Sequence, residues 1–388
     1  MTWSGVDTRA LSDWMSEQRG SFIGILQDLA AAESPSRDPR AGARARRVLA
    51  RLFADLGFAV RETRRSRTAG HVLARRSRRS RERRQLLLGH FDTVWPLGSL
   101  ESMPFTVDGD TVRGPGVYDM KGGIAEALLA LRALDHFGLE PPLEPVVFLN
   151  SDEEIGSGDS SRYIRMLARR VERVFVLEPS LGPEGRLKTA RKGVGRYTIT
   201  ITGRAAHAGL DPGAGASAIL ELAVVVQKLF ALNDADRGIT VNVGTIDGGL
   251  QPNVVAPRSR AVVDVRTRTL ADAGTIDAAI RSLTPSTPGT RIEVEGGTGR
   301  PPLEPTPRNR ELWLLACEAA GALGITMDQG LAGGGSDGST TSQITATLDG
   351  LGAVGDGAHA AHECLVVSRT LERAALLAML LMSARSVR

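Results

Sequence analysis

The apolar residues of this chain follow two strand-like patterns, and the first of them is a short unbroken run. Three such runs occur, at residues 85–89, 146–149 and 174–177. Strands that are covered on both faces have this pattern, as in a largely parallel α/β sheet. Helix-like stretches lie between the runs, at residues 120–137 and 160–170. The pattern predicts an α/β fold in which helices cover both faces of the sheet.

The second pattern is a strict alternation of apolar and polar residues. It is found in four segments: 197–202, 239–243, 263–266 and 292–295. Alternation is typical of a sheet with one packed face and one face in water. Two amphipathic stretches, 217–232 and 272–283, are suited to cover the packed face. The sequence therefore predicts a catalytic domain in two parts, residues 1–186 and 300–388, with a small α+β domain inserted at residues 187–299.

The composition is that of a globular protein with more than one domain. At 388 residues the chain is too long for one ordinary hydrophobic core. No apolar run approaches the ~20 residues that span a bilayer, and the N-terminus lacks the segments of a secretion signal. Cys317 and Cys364 lie outside any CxxC motif, which fits a reducing compartment and excludes a thiolate zinc site. We therefore expect a cytoplasmic protein without a membrane partner.

The positive charge of the chain is local. The formal net charge is +4, but residues 61–84 contain eleven arginines and two acids, so the rest of the chain is net acidic. Arginines in such a run could contact nucleic-acid phosphates. However, no aromatic residue interrupts the run, and no recognition motif accompanies it. Strand-like residues flank 75–84, so we interpret this segment as a solvated loop between two strands and expect no nucleic-acid partner.

Acidic and histidine side chains follow directly after each of the three apolar runs. His90 and Asp92 follow the first run, Glu153 and Glu154 the second, and Glu178 the third. In open α/β sheets, ligands bind outside the carboxyl ends of the strands. We therefore expect these five side chains to lie close together at one edge of the sheet.

Two further segments supply candidate metal ligands. Asp119 lies in a glycine-rich turn that enters a helix, and His359 and His362 lie in one loop near the C-terminus. Zinc binds imidazole and carboxylate groups, and a catalytic ion keeps one position open for water. Two histidines and three carboxylates suit a pair of divalent ions, and Glu153, next to a ligand, can accept a proton from that water. The sequence predicts two divalent metal ions. Zinc is the expected metal, and cobalt and manganese are the alternatives.

Five motifs occur in the order GHFDTV, GPGVYDMKGG, SDEEIGS, VLEPS and GAHAAHE. Together they resemble the di-zinc metallopeptidase family of glutamate carboxypeptidase, aminoacylase, acetylornithine deacetylase and succinyl-diaminopimelate desuccinylase. The resemblance spans essentially the whole chain. It implies a zinc-exopeptidase-type mixed sheet sandwiched by helices, with an inserted ferredoxin-like domain that serves for dimerisation and as a lid.

The resemblance also implies a role for each candidate ligand. Asp119 would bridge the two ions, and the other ligands would divide between two sites: Glu154 and His359 at one, and His90 and Glu178 at the other. Asp92 would hold the His90 ring as an outer carboxylate. Glu153 would be the general base.

Two histidines compete for the last ligand position. In the family the ligand stands four residues before a glutamate, and only His359 has this relation to Glu363. His362, in the same loop, is the alternative.

The inserted domain carries further matches to the family. His207, which follows a strand-like segment, corresponds to a histidine that stabilises the oxyanion in relatives, often in the active site of a partner subunit. Other positions resemble segments that line the substrate cleft: Asn253, Arg266, Arg300, Gly334 and Ser336. An arginine suits a substrate carboxylate because it donates two parallel N–H bonds. For both arginines, a salt bridge on the strand face is the competing interpretation.

The resemblance implies a metal-dependent amidohydrolase that cleaves an amide bond next to a free carboxylate. Glu178 in VLEPS resembles the carboxypeptidase branch, so we expect release of a C-terminal glutamate or a similar amino acid. An N-acyl-amino-acid deacylase is the first alternative, and a non-catalytic binding protein on the same fold is a more distant one. We further expect a homodimer formed through residues 187–299, acting on a small peptide-like substrate.

Overall fold

The computed structural model of the protein describes residues 5–76 and 83–386. These residues fall into two compact units. The first unit lies within Met1–Thr189, Pro305–Ala332 and Ser336–Arg388, and the second unit consists of Ala190–Glu304 and Gly333–Gly335. The second unit therefore interrupts the first unit along the chain.

The helices and strands of the described residues are numbered in chain order. The helices are α1 Thr8–Glu17, α2 Arg19–Ala31, α3 Pro39–Asp55, α4 Gly122–His136, α5 Ser161–Ala168, α6 Ala218–Phe230, α7 Leu270–Arg281, α8 Pro307–Ala322, α9 Asp337–Thr341 and α10 Val367–Met382. The strands are β1 Phe58–Thr63, β2 His71–Arg76, β3 Arg84–His90, β4 Thr106–Asp108, β5 Thr111–Arg113, β6 Glu144–Asn150, β7 Arg173–Val176, β8 Leu187–Arg191, β9 Gly193–Thr202, β10 Thr240–Gly248, β11 Arg258–Thr267, β12 Arg291–Arg300, β13 Gln329–Ala332, β14 Ala346–Leu348, β15 Gly355–Asp356 and β16 Cys364–Val366.

A mixed six-stranded sheet is the centre of the first unit. Its strand order is β1-β2-β6-β3-β7-β14. Strands β6, β3, β7 and β14 are parallel, whereas β1 and β2 are antiparallel additions at one edge. In the register of the parallel strands, His90 lies opposite Asn150, and Leu88 lies opposite Val176. The carboxyl ends of β3, β6 and β7 therefore meet at one edge of the sheet.

Both faces of this sheet are buried, which explains its unbroken apolar runs. Leu87 of β3 belongs to the core that contains α1–α4, α8 and α10. Its neighbours Leu86 and Leu88 belong to a second core with Ile164 and Leu167 of α5. Full burial of one such leucine stabilises the fold by about 2 kcal/mol. The predicted α/β fold, a mixed sheet between helices, is confirmed.

The second unit has the order β9-α6-β10-β11-α7-β12 and one antiparallel sheet, β10-β11-β9-β12. This is the βαββαβ order of ferredoxin-like folds. Tyr197, Ile199 and Ile201 of β9 point into a core that α6 and α7 complete. Ser217 and Thr269 cap the N-termini of these helices with their side chains. The alternating pattern thus marks a sheet covered by helices on one face only.

The arginine run is partly strand rather than loop. The prediction of a solvated loop at 75–84 is wrong at both ends, because β2 extends to Arg76 and β3 begins at Arg84. Residues 77–82 lie outside the described residues. Three described arginines of the run form ion pairs: Arg76 with Asp135, Arg83 with Glu172, and Arg84 with Glu144. These pairs give part of the run a structural role. The absence of a nucleic-acid partner stays a prediction.

Two global features bear on cellular location. Cys317 and Cys364 are both free thiols. Within residues 5–76 and 83–386, no helix has the length and apolar character needed to cross a membrane. The cytoplasmic location stays a prediction.

Candidate metal centre

The edge where β3, β6 and β7 end brings the predicted acidic and histidine side chains together. His90 is the last residue of β3, Glu178 follows β7 by two residues, and Glu153 and Glu154 follow β6. His90, Glu153 and Glu178 are at most 9% exposed. The donor atoms fall into two groups that both include His90. Asp119 and Glu154 complete one group, and Glu153 and Glu178 complete the other; within each group the donor atoms lie within 4.8 Å of one another.

Asp119 lies between two histidines. Its Oδ1 atom is 3.4 Å from Nε2 of His90, and its Oδ2 atom is 3.5 Å from Nε2 of His359. Oδ1 is buried and accepts no hydrogen bond from any described residue. A buried carboxylate oxygen without a hydrogen bond is costly unless another positive partner occupies the space in front of it.

The remaining candidate ligands lie on either side of Asp119. Glu154 Oε2 is 3.1 Å from Nε2 of His359. Glu178 Oε1 is 3.5 Å from Nε2 of His90, and its Oε2 is 3.8 Å from the Lys188 ammonium. By these contacts Glu154 lies beside His359, Glu178 lies beside His90, and Asp119 lies between the two histidines.

The tautomer of His90 follows from its neighbours. Nδ1 lies 3.0 Å from the backbone oxygen of Asp92 and 3.4 Å from its Oδ1 atom. Both partners are acceptors, so Nδ1 carries the hydrogen and the lone pair of a neutral ring lies on Nε2. That lone pair faces the oxygens of Asp119 and Glu178. A cation between these three atoms would remove their mutual repulsion, so the donor set fits a zinc ion.

The Asp92 carboxylate does more than face the His90 ring. Its two oxygens accept hydrogen bonds from the backbone N–H groups of Glu153 and Glu154, both at 3.2 Å. Asp92 is 1% exposed. It therefore connects the segment after β3 to the segment that carries the candidate base and one ligand.

The loop that carries Asp119 depends on glycine. Gly116 has a φ of 73°, and a Cβ there would lie 2.5 Å from Cγ2 of Thr93. Any other residue would be strained by its backbone and would collide with Thr93. His359 has a φ of 62° without being glycine. Such a conformation costs roughly 1–3 kcal/mol and is common at functional sites.

The electrostatics of the cluster show an excess of negative charge. The carboxylates of Asp119 and Glu154 raise the pKa of His359 to about 10. Burial lowers the pKa of His90, but the carboxylates of Asp119, Asp92 and Glu178 outweigh it, so the pKa is raised. Burial, with the nearby charge of Asp119, raises the pKa of Glu154. The cluster thus stabilises positive charge, which two divalent ions would supply.

His207 lies in the second unit and is exposed. Its Nδ1 atom accepts hydrogen bonds from the backbone N–H groups of Gly209 and Leu210, both at 3.1 Å. A neutral ring held in this way carries its hydrogen on Nε2. Asn253, the neighbouring candidate, accepts a backbone hydrogen bond from Ala208. His207 can therefore donate an N–H bond to a substrate oxygen.

The candidate substrate-binding residues differ in the contacts that they make within the protein. Arg266 forms a two-point ion pair with Asp264, at 2.7 and 3.1 Å. The competing interpretation, a salt-bridged strand face, thus describes Arg266. Arg300 is half-buried at the end of β12, and the backbone oxygen of the exposed Gly334 accepts a hydrogen bond from Arg191.

Ser336 is fully buried in the first unit. Its hydroxyl donates to Asp349 and accepts from the backbone N–H of Gly338, which caps α9. Its hydroxyl is therefore already engaged, which argues for a capping role and against a substrate contact.

Sequence reasoning missed two buried acids that hold the ligand-bearing segments. Asp337 accepts hydrogen bonds from Ser157 at 2.5 Å and from Asn150 at 2.6 Å, so it fixes both ends of the segment after β6. The Glu363 carboxylate accepts hydrogen bonds from backbone N–H groups of the loop that carries Asp119. The signal for Asp337 was its position at the start of a helix behind three glycines.

The two histidines of the C-terminal loop make different contacts. His359 faces Asp119 and Glu154, whereas the one hydrogen bond of His362 with another described residue is made by its backbone oxygen, which accepts from Arg113. We predict that His359→Ala lowers the affinity for one ion by about 100-fold or more, since even outer-shell changes cost 10–100-fold. His362→Ala is the matched control and should bind both ions normally. Equal losses in the two variants, measured by elemental analysis, would overturn this assignment.

Comparison with known proteins identifies the family. The model of "Peptidase family M20/M25/M40" matches residues 86–383. Carboxypeptidase G2 of Pseudomonas sp. (strain RS-16) is 29% identical over 335 residues, which cover 83% of this chain and 79% of that protein. Acetylornithine deacetylase of Myxococcus xanthus is 32% identical over 192 residues, 46% of this chain and 48% of that protein.

Solved structures show the same fold. The crystal structure of aminopeptidase PepT from Bacillus cereus has a TM-score of 0.77 at 20% identity and covers 94% of this chain and 98% of that one. The family resemblance seen in the five motifs is confirmed. The chain therefore belongs to peptidase family M20/M25/M40, and it is a metallohydrolase that acts on amide bonds.

Proposed function

We propose that this protein is a two-zinc carboxypeptidase that releases glutamate or a similar amino acid from a small peptide-like substrate. One observation carries the proposal: the two oxygens of Asp119 face two different histidines, His90 and His359. A carboxylate that bridges two metal ions has this arrangement. The similarity to carboxypeptidase G2 over most of both chains supports the carboxypeptidase branch.

We propose that the ligands divide as the family resemblance implies. Glu154 and His359 would hold one ion and His90 and Glu178 the other, with Asp119 shared. When bound, the ions polarise the amide carbonyl and lower the pKa of a water molecule. Zinc suits the imidazole and carboxylate donors, and cobalt or manganese can bind the same set.

Glu153 is the proposed general base. It accepts a proton from the attacking water and returns it to the nitrogen of the leaving amino acid. Its backbone N–H is held by Asp92, which fixes the base relative to His90. His207 donates its Nε2–H to the carbonyl oxygen as negative charge develops there. We further propose that Arg300, with Asn253 and Gly334, contacts the substrate carboxylate, whereas Arg266 keeps its ion pair with Asp264.

A second candidate function uses the same residues. The partial match to acetylornithine deacetylase favours an N-acyl-amino-acid deacylase. The two activities differ in the acyl group and share the amino acid that leaves.

We also propose a homodimer formed through the second unit. Strand β10 is a sheet edge, and beside it lies an apolar groove of about 640 Å³ lined by residues of α6 and β10. Ile219, Ile246 and Leu250 are 47%, 58% and 69% exposed, and exposed apolar side chains grouped in one patch mark interaction sites. An open strand edge with an apolar flank favours pairing with a second copy across a two-fold axis.

The substrate proposal is tested by blocking one carboxylate at a time. With N-acyl-glutamates and dipeptides ending in glutamate, we expect conversion of the α-carboxylate to an amide to lower kcat/KM by about 10- to 100-fold, the value of a charged hydrogen-bond contact. The matched control carries an amide on the side-chain carboxylate instead. Unchanged kcat/KM for the α-amide would contradict the proposal. Release of the amino acid from N-acyl-glutamates but not from dipeptides would favour the deacylase function.

A further inference from the structure

Glu363 is a buried carboxylate that accepts four hydrogen bonds. It is 1% exposed. Its Oε1 atom accepts from the backbone N–H groups of Tyr118 and Asp119, both at 3.0 Å. Its Oε2 atom accepts from the backbone N–H of Gly116 at 2.9 Å and from the indole N–H of Trp95 at 2.8 Å. Each oxygen thus faces two donors.

The four donors come from two different segments that carry candidate ligands. Three of them belong to the loop of Asp119, and Trp95 belongs to the segment that continues from His90 and Asp92. Glu363 itself ends the turn that carries His359. One carboxylate therefore joins the three segments that supply His90, Asp119 and His359.

We propose that Glu363 is a positioning residue for the metal pair. Its carboxylate fixes the backbone that carries Asp119 and His359. The inference rests on the proposed two-metal centre. Glu363 acts through backbone and indole N–H groups, so it is not a ligand. Asp92 makes the corresponding connection to the Glu153–Glu154 segment. Together the two carboxylates connect four of the segments that surround the centre.

The geometry requires a carboxylate and not merely a polar side chain. In Glu363→Gln one oxygen becomes an NH2 group, which is a donor. In either orientation of the amide, its NH2 group faces two N–H donors. Two hydrogen bonds are therefore lost, and donor groups face each other where these bonds were. Glutamine, although nearly identical in shape, should therefore fail to replace glutamate.

The test measures metal affinity by competition between the protein and a zinc chelator. We expect Glu363→Gln to lower the affinity for at least one ion by about 10- to 100-fold, as is typical of residues that hold a ligand in place. Excess zinc should restore part of the lost kcat. Unchanged affinity for both ions in a folded Glu363→Gln variant would overturn the proposal.

Glu221→Gln is the matched control. Glu221 is fully buried in the second unit, and its carboxylate also accepts backbone N–H bonds, from Ser286 and Thr287. Its substitution should lower Tm but leave both zinc affinities unchanged. An equal loss of affinity in the control would show that Glu363→Gln acts only through general stability, and would also overturn the proposal.

Hydrogen exchange in the unaltered protein keeps the proposal testable if the variant does not fold. The amides of Gly116, Tyr118 and Asp119 should stay protected after the ions are removed, because Glu363 and not the metal holds them. Loss of this protection on metal removal would overturn the positioning role. Failure of the unaltered protein to bind any zinc would instead refute the two-metal centre, so the two outcomes are distinguishable.

Discussion

Glu153→Gln is expected to retain both metal ions and to lose kcat by about 100-fold or more, the usual contribution of a general base. The amide has the shape of the carboxylate but cannot accept a proton. The backbone N–H of Glu153 bonds to Asp92, and this contact does not depend on the side chain. The segment should therefore keep its position in the variant. The measurement is elemental analysis of the purified protein together with kcat on the best substrate.

Asp119→Ala is the contrasting variant and should lose metal and activity together. The comparison matters because Glu153 is also one of three residues whose donor atoms lie within 4.8 Å of one another, with His90 and Glu178. A ligand role for Glu153 is thus a definite alternative. Loss of an ion from Glu153→Gln would show that the base and the ligand have been confused.

Mixing two inactive variants is expected to restore activity if His207 serves the partner's site. Glu153→Gln and His207→Ala each leave every site of a homodimer with one defect. In a mixed dimer with shared sites, one site has both defects and the other has none. After random subunit exchange, about one quarter of the wild-type activity should return, because half of the dimers are mixed and half of their sites are intact.

The control for this experiment is Glu153→Gln mixed with Asp119→Ala. Both defects lie in the first unit, so every site of a mixed dimer keeps one of them and no activity should return. No recovery in the His207 mixture, after exchange has been shown with labelled subunits, would mean that His207 acts within its own chain or not at all. A monomer in light scattering at working concentration would also end the proposal.

The sequence predicted the sheet that carries the centre because burial on both faces leaves a plain signal. The runs at β3, β6 and β7 and the acids that follow them can be read from the chain alone. The contacts between these segments cannot. Asp92 was expected to hold a ring, and it also bonds two backbone N–H groups of another segment. Backbone donors have no signature in the sequence, which is also why the role of Glu363 was missed.

Arg266 illustrates a second limit. Asp264 and Arg266 are two residues apart on one strand, so they lie on the same face, and the sequence alone left a salt bridge and a substrate contact as open alternatives. The structure shows the salt bridge. By contrast, helix α3 was predictable: Asp38 caps its N-terminus and Pro39 is its first residue, a combination typical of helix starts.

The interruption of the first unit by the second has a consequence for the order in which the protein is made. Strand β14 pairs with β7, but the whole second unit is synthesised between them. The candidate ligands run from His90 to His359, so the last of them is synthesised only after the whole second unit. The inserted unit is nearly continuous in sequence and can form its own sheet earlier. A nascent chain therefore holds an incomplete set of ligands until the second unit and the segment up to His359 have been synthesised.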